Sequence, residues 1–159
     1  MMMKIAGVHS VENQKSLRTI QNCEFHNINA EKMTEKAPQI SVIMPVYNGE
    51  KYIAQAVRSV YAQNVPVELI VIDDGSTDGT KAVLAPWENR PDFVYIKNER
   101  NLGAASSRNR GVAVAKGKYV AFLDADDWWE DGKLAAQLAA LEITGDVICS
   151  TGRDLMNPD

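Results

Sequence analysis

The sequence predicts an α/β fold: a mainly parallel sheet with flanking helices. From Gln39 onward, short apolar runs rich in β-branched residues alternate with stretches of helical period, the pattern of successive βαβ units. Most of the apolar runs also give way to a polar cluster, which places the unusual side chains at the carboxyl ends of the strands. A chain of 159 residues that is 45% hydrophobic is the right size for one domain with an ordinary core.

Residues 1–38 precede this pattern and read as an extension, either disordered or holding one short helix, because they are polar, weakly periodic and closed by mixed charges and Pro38. "ISVIMPV" (40–46) is the first strand, and the helix after it carries Ile53, Ala56, Val57 and Val60 on one face. "VELIVI" (67–72) is the second strand, followed by "DDGSTDGT", where Ser76 or Thr77 can cap a helix running to Trp87. "FVYIK" (93–97) is a third strand, and the next helix is expected to close on Gly117. "YVAFL" (119–123) is the fourth strand, Leu134, Leu138 and Leu141 form a helical stripe, and "DVICS" (146–150) is a fifth strand.

Composition narrows function. A net charge of −4 with pI near 5.2 leaves no basic footprint, so no nucleic acid partner is expected. No run approaches the ~20 apolar residues of a spanning helix, and the opening residues lack the apolar centre of a secretory signal. Cys23 and Cys149 have no metal-ligand spacing and read as free thiols of a reducing compartment, which predicts a cytoplasmic protein, either free or at the inner face of the membrane. His9 and His26 read as surface histidines.

In an open parallel sheet, ligands bind beyond the carboxyl ends of the strands. Tyr47 and Asn48 follow the first strand, Asp73 and Asp74 the second, Asn98, Glu99 and Arg100 the third, and Asp124 and Asp126 the fourth. In extended chain Asp124 and Asp126 face one side while Ala125 packs inward, and two hard oxygen ligands suit Mg²⁺ or Mn²⁺. Taken alone, this DxD reads equally as a solvated acidic turn. "DDGSTDG" half matches a calcium loop, but the twelfth position, counted from Asp74, is Ala85 where a bidentate Glu is needed. A turn that offers Asp74 to a ligand fits better. Trp128 and Trp129 read as core closure ahead of sugar stacking.

"ISVIMPVYNGEKYIAQAVRSVYAQ", "ELIVIDDGSTDGT" and "NERNLGAASSRNRGVAVAKGKYVAFLDADD" together resemble the nucleotide-sugar-binding half of a family 2 glycosyltransferase over residues 38–150. The resemblance implies a Rossmann-like GT-A domain in residues 39–159, and transfer from a nucleotide-diphosphate sugar, usually a UDP-sugar, to a hydroxyl acceptor on a glycan or lipid, with inversion and a Mn²⁺ or Mg²⁺ ion. By position it implies a nucleotide-sugar set of Pro45, Val46, Tyr47, Asp73, Asp74, Arg108, Asp124 and Ala125. Within it Tyr47 lies by the base, Asp74 accepts from the base, and Arg108 lies near the nucleotide. Asp124 and Asp126 are the implied metal set, with Asp126 the more direct ligand and Asp127 unassigned. Family members continue beyond the fifth strand and place the catalytic base there, so the chain is expected to be a fragment whose base lies past Asp159; Asp154 and Asp159 come too soon after that strand to be assigned. A noncatalytic nucleotide-sugar-binding fragment is the alternative. A haloacid-dehalogenase-like phosphatase, which also carries DxD after a strand, fits less well, since three βα units precede the motif and Trp128 stands where a Thr or Val is expected.

Overall fold

The structure, a computed structural model, describes residues 2–4, 38–145 and 148–150. Its elements are β1 (Met2–Lys4), β2 (Ile40–Val46), α1 (Ile53–Tyr61), β3 (Val67–Asp73), α2 (Thr80–Leu84), β4 (Phe93–Lys97), α3 (Ala104–Val114), β5 (Tyr119–Phe122), α4 (Lys133–Thr144) and β6 (Ile148–Cys149). They form a six-stranded sheet of order β4-β3-β2-β5-β1-β6, in which β2 to β5 are mutually parallel.

Every residue of β2 and β3 is buried, as expected for parallel strands covered on both faces. Ile40, Val42, Met44 and Val46 of β2 join a core with the apolar stripes of α1 and α4 and Leu84 of α2. The opposite face of the strand turns Ile43 towards α3, which approaches so closely at Gly111 that an added Cβ would lie 2.5 Å from the Ile43 side chain.

The sequence assigned no strand to residues 1–38, yet Met2–Lys4 forms β1, antiparallel to both β5 and β6, with Met2 opposite Ala121 and Cys149. Met2 is fully buried, and such burial stabilises by ~1.5–3 kcal/mol. Three residues reaching the sheet from far away in sequence carry no local period, so pattern reasoning cannot find them. Residues 5–37, with Cys23, His9 and His26, lie outside the described residues, as do Asp146, Val147 and residues 151–159 with Asp154 and Asp159.

Two helix ends differ from expectation. The second helix starts at Thr80 rather than behind a Ser76 or Thr77 cap, and gives way at Ala85–Trp87 to a 3-10 turn, because Pro86 has no N–H to continue the ladder. The third helix stops at Val114, and Gly117 serves packing instead of capping: a Cβ there would sit 2.5 Å from the backbone nitrogen of Ser41. Gly117 N donates to Ser41 Oγ, which donates to the buried Glu68, so the start of β5 is locked against β2. Gly117→Ala is therefore expected to cost ~1–3 kcal/mol, measured as a lowered urea midpoint with an unchanged slope.

Candidate functional site

After β4 the chain crosses back over the sheet through α3 and resumes as β5 on the other side of β2, so the strand order reverses between β2 and β5. At such a switch, the loops leaving adjacent strands part in opposite directions and open a crevice. A cleft of about 390 Å³ lies there, within the range of small-molecule sites. Pro45, Val46 and Tyr47 leaving β2, Asp74 leaving β3, Arg108 on α3, and Asp124, Ala125 and Asp126 leaving β5 all line it.

The wall beside β2 is a pair of loops tied together. Asn48 N donates to Ser76 Oγ at 2.9 Å, Gly49 N to Thr80 Oγ1 at 2.9 Å and Glu50 N to Asp78 Oδ2 at 3.1 Å. In return, Thr77 N donates to Asn48 Oδ1 at 2.9 Å and Gly79 N to Glu50 Oε2 at 2.7 Å. The polar residues of "DDGSTDGT" thus hold the "YNGE" loop, which explains a calcium-like composition without an ion. Asn48 takes a left-handed φ of 52°, a conformation Asn tolerates, and this turns the chain away behind Tyr47. Tyr47 is left 51% exposed over the cleft, its ring open to stack on a planar ligand.

Asp73 and Asp74 separate. Successive side chains of a strand face opposite ways. Asp73, expected at the nucleotide, does not line the cleft: it is fully buried, accepts from Ser76 N at 2.7 Å and Tyr95 Oη at 2.5 Å, and lies 3.8 Å from Lys97 Nζ. Asp74 does line the cleft, and its carboxylate accepts from Asn98 Nδ2 (2.7 Å), Leu102 N (2.9 Å) and Gly103 N (2.8 Å). Burial would raise its pKa, but hydrogen bonds from Asn98, Leu102, Gly103 and Ser107 outweigh that and hold it below the ordinary carboxylate range. Asp74 is thus an ionised anchor for the loop leading into α3. Asn98 is buried in this network, and neither Glu99 nor Arg100 lines the cleft.

Beyond β5 the chain turns at once, with Asp127 N donating to Asp124 O at 3.1 Å. The same-side placement of Asp124 and Asp126 arises from this turn and not from extended chain, while Ala125 packs into the core as expected. Arg108 Nη2 donates to Asp124 Oδ1 at 2.5 Å, and Asp126 is exposed. Two carboxylates in an open cleft fit Mg²⁺ or Mn²⁺, which keep water and phosphate oxygens in their shells. They do not fit an ion needing a full protein cage, since the described residues hold no group of three or more His, Cys, Asp and Glu suited to enclosing one.

The two tryptophans divide. Trp129 packs against the core, its backbone N–H donating to Ser59 Oγ and its ring centroid 4.0 Å from Lys133 Nζ, whereas Trp128 is exposed. Sequence reasoning missed Tyr52 and Asn101 as lining residues. Tyr52 carried a usable signal, an aromatic just ahead of the apolar stripe of α1 and outside its register.

A sheet of this topology, with its polar cleft at the strand switch, defines an open α/β domain with its crevice where such folds bind ligands. The profile of "Glycosyl transferase family 2" matches residues 41–158, and the chain belongs to that family. It is 42% identical over 129 residues to TuaG of Bacillus subtilis (strain 168), a glycosyltransferase named for teichuronic acid biosynthesis, covering 80% of this chain and 51% of TuaG. Among solved structures, S. aureus TarS 1-349 in complex with UDP-GlcNAc superposes with a TM-score of 0.62 at 33% identity, covering 66% of this chain and 31% of that one. The mannosyltransferase PcManGT from Pyrobaculum calidifontis, in complex with GDP-Man and Mn²⁺, gives 0.60 at 31% identity, covering 67% and 33%. The fold is therefore GT-A, and the chain spans about half of TuaG and about a third of these solved chains. Among the described residues no helix is long and apolar enough to cross a membrane.

Proposed function

We propose that this cleft binds a nucleotide-diphosphate sugar, a UDP-sugar in first place, for transfer of the sugar to a hydroxyl of a glycan or lipid-linked acceptor at the cytoplasmic side of a membrane. One observation carries the reading: the residues of the implied nucleotide-sugar and metal sets, all but Asp73, line a single cleft at the strand switch. TarS with UDP-GlcNAc and PcManGT with GDP-Man and Mn²⁺ support the ligand class.

In this reading the ring of Tyr47 stacks on the base, against the wall formed by Pro45 and Val46. Asp74, besides fixing the Leu102–Gly103 turn, has acceptor capacity left on Oδ2 for a base N–H. Arg108 faces the diphosphate, Asp124 the ribose or donor sugar, and Asp124 with Asp126 hold Mn²⁺ or Mg²⁺. Such a cation supplies Lewis-acid neutralisation of the departing diphosphate. Transfer is a single displacement with inversion, and the base that deprotonates the acceptor is assigned to none of the described residues.

Calorimetric titration with UDP, GDP and dTDP, with and without Mn²⁺, tests this. Mn²⁺-dependent binding of UDP ahead of the other two is the expected result, and absence of binding by all three nucleotides would overturn the reading.

A further inference from the structure

Arg108 is the one basic side chain among the residues described as lining the cleft, and it stands against three acids there, Asp74, Asp124 and Asp126. Asp74 is already engaged by Asn98 Nδ2, Leu102 N and Gly103 N. Arg108 is held in place by its helix: Ser107 and Gly111 on either side of it are buried, with Gly111 against Ile43 of β2. From that fixed position its guanidinium reaches Asp124 Oδ1 at 2.5 Å. Nearby Arg110 is committed elsewhere, donating to Lys97 O at 3.1 Å and to Asn98 Oδ1.

We propose that Arg108 gates Asp124: it competes with a divalent cation for that carboxylate and gives it up when a diphosphate takes the guanidinium. The inference rests on the nucleotide-sugar reading of the cleft and adds a binding order to it. Arg108 holds Asp124 through a single Nη2 contact, for which a diphosphate oxygen can compete, and a cation binding Asp124 meets the Arg108 charge at contact distance. While Arg108 is paired, Asp126 is the remaining carboxylate of the DxD, so cation binding is weak. A diphosphate that draws Arg108 away restores the second ligand and brings its own oxygens. Cation and diphosphate then favour one another, and by linkage each raises the affinity of the other by the same factor.

The test is Mn²⁺ binding followed by electron paramagnetic resonance, first without nucleotide and then with UDP, for the wild-type chain and Arg108→Gln. A half-exposed ion pair is worth up to ~1 kcal/mol, so Arg108→Gln is expected to bind Mn²⁺ alone about fivefold more tightly. The factor by which UDP strengthens Mn²⁺ binding should shrink correspondingly, because no guanidinium remains to be released. Equal or weaker Mn²⁺ affinity in Arg108→Gln would overturn the gate, as would an undiminished UDP effect. Absence of UDP binding by the wild type would instead overturn the nucleotide reading, and the Mn²⁺-only comparison would still decide the competition. Thermal unfolding checks that the variant folds; should it not, Arg108→Lys, which keeps the charge but loses the fork, is expected to fall between the two.

Discussion

Asp126→Asn is expected to weaken Mn²⁺-dependent UDP binding by about 100-fold or more while leaving the stability of the chain within ~0.5 kcal/mol of wild type. The two halves of this expectation have separate causes. Asp126 is exposed on the turn after β5, so removing its charge leaves no buried donor unsatisfied. In the cleft it is the one DxD carboxylate not paired with Arg108. Residues that only orient the ligands of a metal cost about 10–100-fold in metal affinity when lost, and a ligand in a site with two protein carboxylates costs at least as much. Asp127→Asn supplies the contrast, because Asp127 is exposed and does not line the cleft, and its binding should match wild type. Calorimetry in the presence and absence of Mn²⁺ reads both variants. Unchanged UDP binding in Asp126→Asn would remove Asp126 from the site.

Much of this site is legible in sequence because β2, β3, β4 and β5 are regular: each apolar run is bounded by polar residues, and parallel pairing then forces the run ends to one edge of the sheet. The separation of Asp73 from Asp74 was within reach as well, since alternation along a strand allows one of two adjacent side chains to face the crevice and sends the other into the fold. What the sequence does not reveal is pairing between distant segments. Met2 against Ala121 and Cys149, or Asn48 against Ser76 and Thr77, joins segments with no shared period. The polar residues of "DDGSTDGT" look like ligands of something, and their partners prove to be the backbone and side chains of the "YNGE" loop.

Asp74→Asn is expected to be the most destabilising single change in the cleft, costing ~2–3 kcal/mol at neutral pH. The carboxylate is buried and takes three donors, two of them backbone N–H groups at the turn into α3. Charged hydrogen bonds of this kind contribute ~1.5–3 kcal/mol each, and an unsatisfied buried donor costs ~1–3 kcal/mol. An Asn can still accept Asn98 and Leu102 on its oxygen, but its amide then meets Gly103 N donor to donor. The turn carries Asn101 and Ala104 of the cleft wall, so nucleotide binding should weaken in the same variant. The pH dependence has a definite sign. The folded carboxyl lies below its ordinary value of 3.8, so between the two values the unfolded chain binds the more protons and stability rises with pH. This contribution is fully present above 3.8 and is lost as pH falls through the depressed folded value. Urea unfolding of wild type and Asp74→Asn should therefore differ most near neutrality, and the gap should narrow only below 3.8. A gap independent of pH down through that range would mean that Asp74 is held by packing and not by its charge.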